Sequence, residues 1–382
     1  MNRRRWLRWG CAHCATLAGL SAAQTPDWTA PARFSKPDLG TDEGGLWAMM
    51  DREEARLRRS PFRIRDEALT AYLTDLTCRL AGTHCPDLRV YAVRAPYFNA
   101  SMAPNGMMQV WSGLMLRVDN EAQLASVLGH EIGHYLQRHS LERLRDVKSR
   151  AAFGQFLGMF GLVGAIGALA TMAGGLAFSR DHEREADRIG VQLVRGIGLD
   201  PREAANVWGN LLDELRATPD NDPSKDSILF ATHPPSDERR ATLDALTIGS
   251  QGDKGEAAWR ARLAPLRRGL LEDEIKRNKP HETVALMTRL LGPEPGHPDL
   301  LHCRGEAYRQ RAKPGDIELA LADLHAASGH PNAPPAAHRA VADLHRTAGR
   351  AEPARDAYRR YLDQAPDAPD AAMVRQTLEE LK

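Results

Sequence analysis

The sequence predicts an α+β fold that is mainly α: a helical domain holding a small sheet, followed by an all-α array of repeated helix pairs. β-prone runs are confined to Leu88 to Val93 and Met107 to Trp111. Most of the remaining chain places its apolar residues at helical spacing. The dipeptides His297-Pro298, His330-Pro331 and Ala365-Pro366 recur at spacings of 33 and 35, bracketing the 34-residue period of tetratricopeptide-like helix pairs. With 382 residues the chain is long enough for two or three domains.

Composition narrows the class. At 42% hydrophobic and 26% charged the chain is neither disordered nor fibrous, and a mean hydropathy of -0.45 speaks against a polytopic membrane protein. Lys and Arg number 51 against 50 Asp and Glu, which leaves no basic excess to track phosphates, so nucleic acid is not an expected partner.

The elements follow in order. Residues 1–23 carry Arg3, Arg4, Arg5 and Arg8, no acidic residue, an apolar stretch from Cys11, and the ending Ser21-Ala22-Ala23. This reads as a signal peptide cleaved near Ala23, for export by the twin-arginine or the Sec route, with an uncleaved anchor as the alternative. Cleavage would take the formal charge from +1 to -3 by removing those four arginines, so the basic terminus belongs to targeting. It would also leave Cys78, Cys85 and Cys303, of which the first two can bridge or stay free. Cys303 reads as a buried helix residue.

Residues 24–246 are expected to form the first domain, with a helix from Asp66 to Ala81 and another from about Glu121 to Leu144. Asn120 and Gln123 have capping-box spacing at the start of the latter. Residues 151–178 carry no charge but seven glycines. At about 42 Å of helix they are long enough for one crossing of a bilayer and too short for two. The expectation is a folded-back segment beside the site or resting on a membrane surface. Residues 247–256 read as a linker and 257–382 as tetratricopeptide-like repeats, beginning with Trp259 to Arg277 and His281 to Leu291.

His130-Glu131-Ile132-Gly133-His134 is H-E-x-x-H on a predicted helix. Its i, i+4 histidines share a face and can reach one Zn²⁺, and Glu131 stands beside the metal as the base that takes a proton from water. His139, nine residues after His130, falls half a turn away and is expected to be structural. In the second helix, opened by Ser179 to Asp187, the apolar face includes Ala186 and Gly190, so Glu183 is the expected third ligand and Glu185 a solvated charge. Asp187 is placed to hydrogen-bond a ligand histidine. His130, His134 and Glu183 then make a His₂Glu set for one zinc per chain, with a fourth position open. A single crossing by residues 151–178 would part His134 from Glu183, which disfavours a membrane-embedded enzyme.

Four stretches carry a resemblance: Asn99-Ala100 leading to Gly113-Leu114, Asn120 to Ala125 running into His130 to His134, Ser179 to Asp187, and Thr232-His233-Pro234-Pro235 with Arg239. They resemble the zincin-like gluzincin metallopeptidases of the HtpX and CAAX prenyl endopeptidase kind, most nearly the exported branch of β-barrel assembly-enhancing proteases with C-terminal tetratricopeptide repeats. The resemblance implies a periplasmic zinc endopeptidase whose protein substrates are stalled outer-membrane β-barrels and whose repeats dock on the assembly machinery. It maps His233 onto a histidine that occupies the open zinc position and restrains activity, or else stabilises the oxyanion; a plain loop histidine is the alternative, as a surface ion pair is for Arg239. It also implies that the strand Met107 to Ser112 is the edge on which substrate aligns. A chaperone-like adaptor, acting through the repeats with its zinc site closed, is the competing function.

Overall fold

Thr41, with its hydroxyl on Gly44 N–H, starts helix α1 (Asp42–Arg59), and Asp66, with its carboxylate on Leu69 N–H, starts α2 (Glu67–Ala81). The computed structural model describes residues 28–146, 178–219, 233 and 237–381. The expected signal peptide and nearly all of the uncharged run lie outside the described residues. No described helix is long and apolar enough to cross a membrane.

Three short strands follow: β1 (Arg89–Val93), β2 (Ala100–Met102) and β3 (Met107–Trp111). β3 lies in the middle, parallel to β1 with Tyr91 opposite Gln109, and antiparallel to β2 with Ser101 opposite Gln109. This corrects the expectation for Met107 to Ser112. The β2 strand takes the edge on that side, because the chain folds back after Ala100–Met102 and spends the far side of β3 on that hairpin. α1 covers the sheet, with Leu46, Met50 and Leu57 packed on Tyr91, Val93, Met107 and Trp111. Glu54 of α1 fastens it by accepting hydrogen bonds from Arg89 Nη2 at 2.6 Å and Tyr91 Oη at 2.7 Å. Cys78 and Cys85 form a disulfide between the end of α2 and the approach to β1.

After α3 (Ser112–Arg117) comes α4 (Glu121–Leu136), every residue of which is buried. Asn120 accepts from Gln123 N–H at 2.8 Å, while the Gln123 side chain reaches one residue further back, accepting from Asp119 N–H at 2.9 Å. α4 ends eight residues earlier than the pattern suggests. Arg138 adopts φ 58°, and α5 (His139–Asp146) sets off in a new direction. Beside α4 run α6 (Arg180–Gly196) and α7 (Glu203–Arg216), and α8 (Asp237–Leu246) packs on those two.

Helices alone make up the rest: α9 (Glu256–Lys276), α10 (Pro280–Leu291), α11 (Pro298–Arg311), α12 (Asp316–Ser328), α13 (Pro335–Thr347), α14 (Ala351–Gln364) and α15 (Ala371–Glu380). Small residues Ala320, Ala340 and Ala354 let successive helices approach, and Leu324, Tyr358 and Tyr361 fill between them. Cys303 is buried in α11, as expected. The described residues form a mainly helical fold with one three-stranded sheet.

Candidate metal centre

Close contact between α4 and α6 builds the site. Gly129, Gly133, Ala186 and Gly190 line the contact. A Cβ on Gly190 would meet the His130 nitrogen at 3.0 Å, and one on Gly133 would meet Ala186 Cα at 3.0 Å. Backbones this close bring residues from one helix within reach of side chains on the other. His130 and His134 lie one turn apart on α4, and Glu183 and Asp187 one turn apart on α6.

Four buried side chains, His130, His134, Glu183 and His233, converge so that one ligand atom from each lies within 4.8 Å of the others. Nε2 of His130 is 3.1 Å from Nε2 of His134, and Glu183 Oε1 is 3.4 Å from the latter. Nδ1 of His233 lies 3.3 Å from His130 Nε2 and 2.9 Å from Glu183 Oε1. Such nitrogen and carboxylate donors suit zinc. The cluster is thus able to hold one metal ion. Lone pairs pressed together in a buried place are otherwise costly, and a shared cation relieves them.

The surrounding charges are matched. Asp187 Oδ1 accepts from His130 Nδ1 at 2.8 Å. Arg239 clamps Asp187 through Nε at 2.7 Å and Nη2 at 2.6 Å, and its Nη1 is 3.1 Å from Glu183 Oε2. Its guanidinium also lies 4.0 Å from the Trp208 ring centroid. Arg239 is therefore a buried partner of the site and no surface ion pair. Burial pushes the Glu183 carboxyl up, but His233 and Arg239 outweigh it and hold the group well below the ordinary range. Asp187 is depressed in the same way, burial being outweighed chiefly by Arg239 and by the His130 hydrogen bond. Burial pushes the His134 imidazole well down. For His233 the neighbouring Glu183 and Glu131 outweigh burial and raise it.

Glu131 lies beside these groups. It is buried, Oε1 makes no hydrogen bond to any described residue, and His233 Nε2 lies 3.6 Å from it. Burial raises its carboxyl above the ordinary value. Phe178 closes one side, stacked on His134 with ring centroids 4.1 Å apart.

Two expectations need correction. His139 does not face away from the site: its Nδ1 lies 2.9 Å from His134 Nδ1. One continuous helix would carry His139 half a turn from His130, but the turn at Gln137-Arg138 breaks it. Glu185 is half-buried and its Oε2 lies 3.3 Å from His139 Nε2. Burial and the adjacent His182, whose ring stacks at 4.2 Å, push the His139 imidazole down. No glycine marks the turn at Arg138, so residue type gave no signal for it.

Comparison with known proteins agrees with the motifs. Residues 64–247 match the profile of Peptidase family M48. The chain is 33% identical over 242 residues to the beta-barrel assembly-enhancing protease of Yersinia pestis, covering 58% of this chain and 49% of that protein. It is 32% identical over 252 residues to the protein of that name from Escherichia coli (strain K12), covering 59% and 50%. It is 30% identical over 171 residues to the metalloendopeptidase OMA1, mitochondrial, of Homo sapiens, covering 41% and 32%. The chain thus spans about half the length of the beta-barrel assembly-enhancing proteases it matches. The resemblance to this metallopeptidase family holds over the segment that carries the metal cluster.

Proposed function

We propose that this chain is an exported, periplasmic zinc endopeptidase that hydrolyses peptide bonds in misassembled outer-membrane proteins. One observation carries the reading: His130, His134 and Glu183 converge on one point beside the buried carboxylate of Glu131, whose Oε1 accepts no hydrogen bond from the described residues. Zinc, when bound there, supplies the Lewis acidity that activates water and the scissile carbonyl. His130, His134 and Glu183 would hold it. Glu131 accepts a proton from the attacking water and returns it to the leaving amine, a task suited to a carboxyl raised by burial. Asp187 and Arg239 fix the His130 ring. Because β2 is an edge strand and packs on α4, which carries the metal histidines, an extended substrate would pair with Ala100–Met102.

His233 supports a second reading. Its Nδ1 already lies within 3.3 Å of His130 Nε2 and 2.9 Å of Glu183 Oε1, where it can take the fourth zinc position and hold the resting site closed. In that form the chain serves as an adaptor in β-barrel assembly, docking through its helical repeats on the assembly machinery, and hydrolysis waits on displacement of His233. Residues 151–178 are the segment through which we propose peripheral contact with a membrane.

The test is the metal content of residues 24–382 and of its His134→Ala and Glu183→Ala variants, with casein hydrolysis on the same samples. The reading expects about one zinc per chain in the parent and its loss in both variants. No zinc in the parent would sink the enzyme reading. Zinc without hydrolysis, with hydrolysis appearing in His233→Ala, would favour the closed adaptor.

A further inference from the structure

The two α4 histidines are not supported alike. Nδ1 of His130 meets a carboxylate directly, at 2.8 Å from Asp187 Oδ1. Nδ1 of His134 meets another imidazole, His139 Nδ1, at 2.9 Å, and the far nitrogen of that ring, Nε2, lies 3.3 Å from Glu185 Oε2. His139 is buried, 1% exposed. Its ring plane is held from the side by His182, stacked at 4.2 Å and itself 3.1 Å from Glu142 Oε2. Gln137 Nε2 also donates to Glu185.

We infer that His139 and Glu185 form a hydrogen-bond relay that orients His134 for the metal, a pair of positioning residues behind the ligand. The inference rests on the zinc reading of the cluster. His134 faces the other ligand atoms through Nε2, 3.1 Å from His130 Nε2, so that lone pair belongs to the metal and the proton sits on Nδ1. Nδ1–H of His134 therefore donates to His139 Nδ1. That leaves the His139 proton on Nε2, aimed at Glu185. The reverse arrangement would put a proton on His134 Nε2, in the middle of the ligand cluster. Both α4 ligands thus end on a carboxylate from α6, one directly and one through a second ring, and carboxylate support of this kind fixes the tautomer and strengthens the imidazole as a ligand.

The test compares the full mature chain with His139→Leu, His139→Asn and Glu185→Gln. Readouts are zinc affinity by chelator competition, the visible absorption of the Co²⁺-substituted protein, and the melting temperature of the metal-free form. Asn can still place an oxygen near the Nδ1 position, whereas Leu offers no acceptor. The relay predicts that zinc is held about 10- to 100-fold more weakly in His139→Leu, less so in Glu185→Gln, and with substantial recovery in His139→Asn. The cobalt spectrum should shift in the first two while the metal-free melt stays within a few degrees of the parent. Parent-like affinity and spectrum in both His139→Leu and Glu185→Gln would overturn the relay and leave the zinc reading intact. So would a loss of affinity that merely follows a lowered metal-free melt. Absence of zinc from the parent would overturn both.

Discussion

Glu131 follows His130 directly in sequence, yet the two have opposite surroundings. His130 has Asp187 at Nδ1 and the ligand cluster at Nε2, whereas Glu131 Oε1 has no hydrogen-bond partner among the described residues. A carboxylate held by hydrogen bonds is stabilised in its charged form and is a poor base, while a buried one with fewer hydrogen bonds is better placed to take a proton. Replacing Glu131 by Gln keeps the shape and removes the base. Hydrolysis should fall by about 10²- to 10⁴-fold with zinc content unchanged, measured as casein turnover beside metal analysis. Zinc loss in this variant would make Glu131 a holder of the metal. The motif spacing made His130, Glu131 and His134 legible. His139 was misread because its position depends on the single backbone turn at Arg138.

Among elements, the α4 and α6 contact decides whether the residues of the two helices meet. Gly190 is needed for that approach, whereas a Cβ on Gly196 near the end of α6 would touch nothing within 4 Å. Gly190→Val should destabilise the protein by about 1–3 kcal/mol through overpacking and weaken zinc binding, whereas Gly196→Ala should be neutral or stabilising by up to about 1 kcal/mol. Equilibrium urea unfolding and chelator competition check both, and unchanged zinc affinity in Gly190→Val would mean the spacing is not critical. The seating of α1 on the sheet depends on Glu54. Burial pushes its carboxyl up, but hydrogen bonds from Arg89, Tyr91 and Arg58 bring it down to about 2, from an ordinary 4.5. A depressed folded-state value means that the stabilisation is present above the unfolded value and lost as pH falls through the folded one. Glu54→Gln should cost about 2–4 kcal/mol near neutral pH. The gap between parent and variant melting temperatures should close as pH drops from 4.5 toward 2; a gap that persists at low pH would assign Glu54 a packing role.

At the scale of the whole molecule, a buried ion network ties the helices after residue 256 to those before it. Arg117 of α3 donates to Glu214 of α7 at 2.9 Å and to Glu274 of α9 at 3.0 Å. Glu274 also accepts from Arg277 at 2.7 Å, and Arg277 donates to Glu282 of α10 at 2.6 Å. Burial pushes Glu274 up, but Arg117 and Arg277 outweigh it and keep the carboxyl below its ordinary value. Nearby, Trp259 Nε1 donates to Val118 O at 3.1 Å. Arg117→Ala would leave Glu214 and Glu274 buried with one partner fewer, at a cost of about 3–5 kcal/mol. The melt should drop and the protease-susceptible fraction rise; a change under 1 kcal/mol would mean that solvent reaches the network. A paired Glu214→Gln, Glu274→Met background should recover part of the loss.

The sequence by itself determined what depends on local spacing. The H-E-x-x-H motif on a helix, Asn120 and Ser179 as helix starts, and Glu183 and Asp187 on the inner face of their helix all follow from which residues recur every three or four positions. Tertiary structure alone decided what depends on a turn, a strand order or a long-range charge. Arg138 turned the chain so that His139 met His134, β2 took the sheet edge instead of β3, and Arg239, 52 residues from Asp187, became a buried partner of the site. Arg117 found Glu274 across 157 residues. The reason is physical: helical periodicity is a property of neighbours along the chain, whereas the pairing of buried charges and the order of strands are chosen by the packing of the whole, which lowers the cost of desolvation wherever opposite charges can meet.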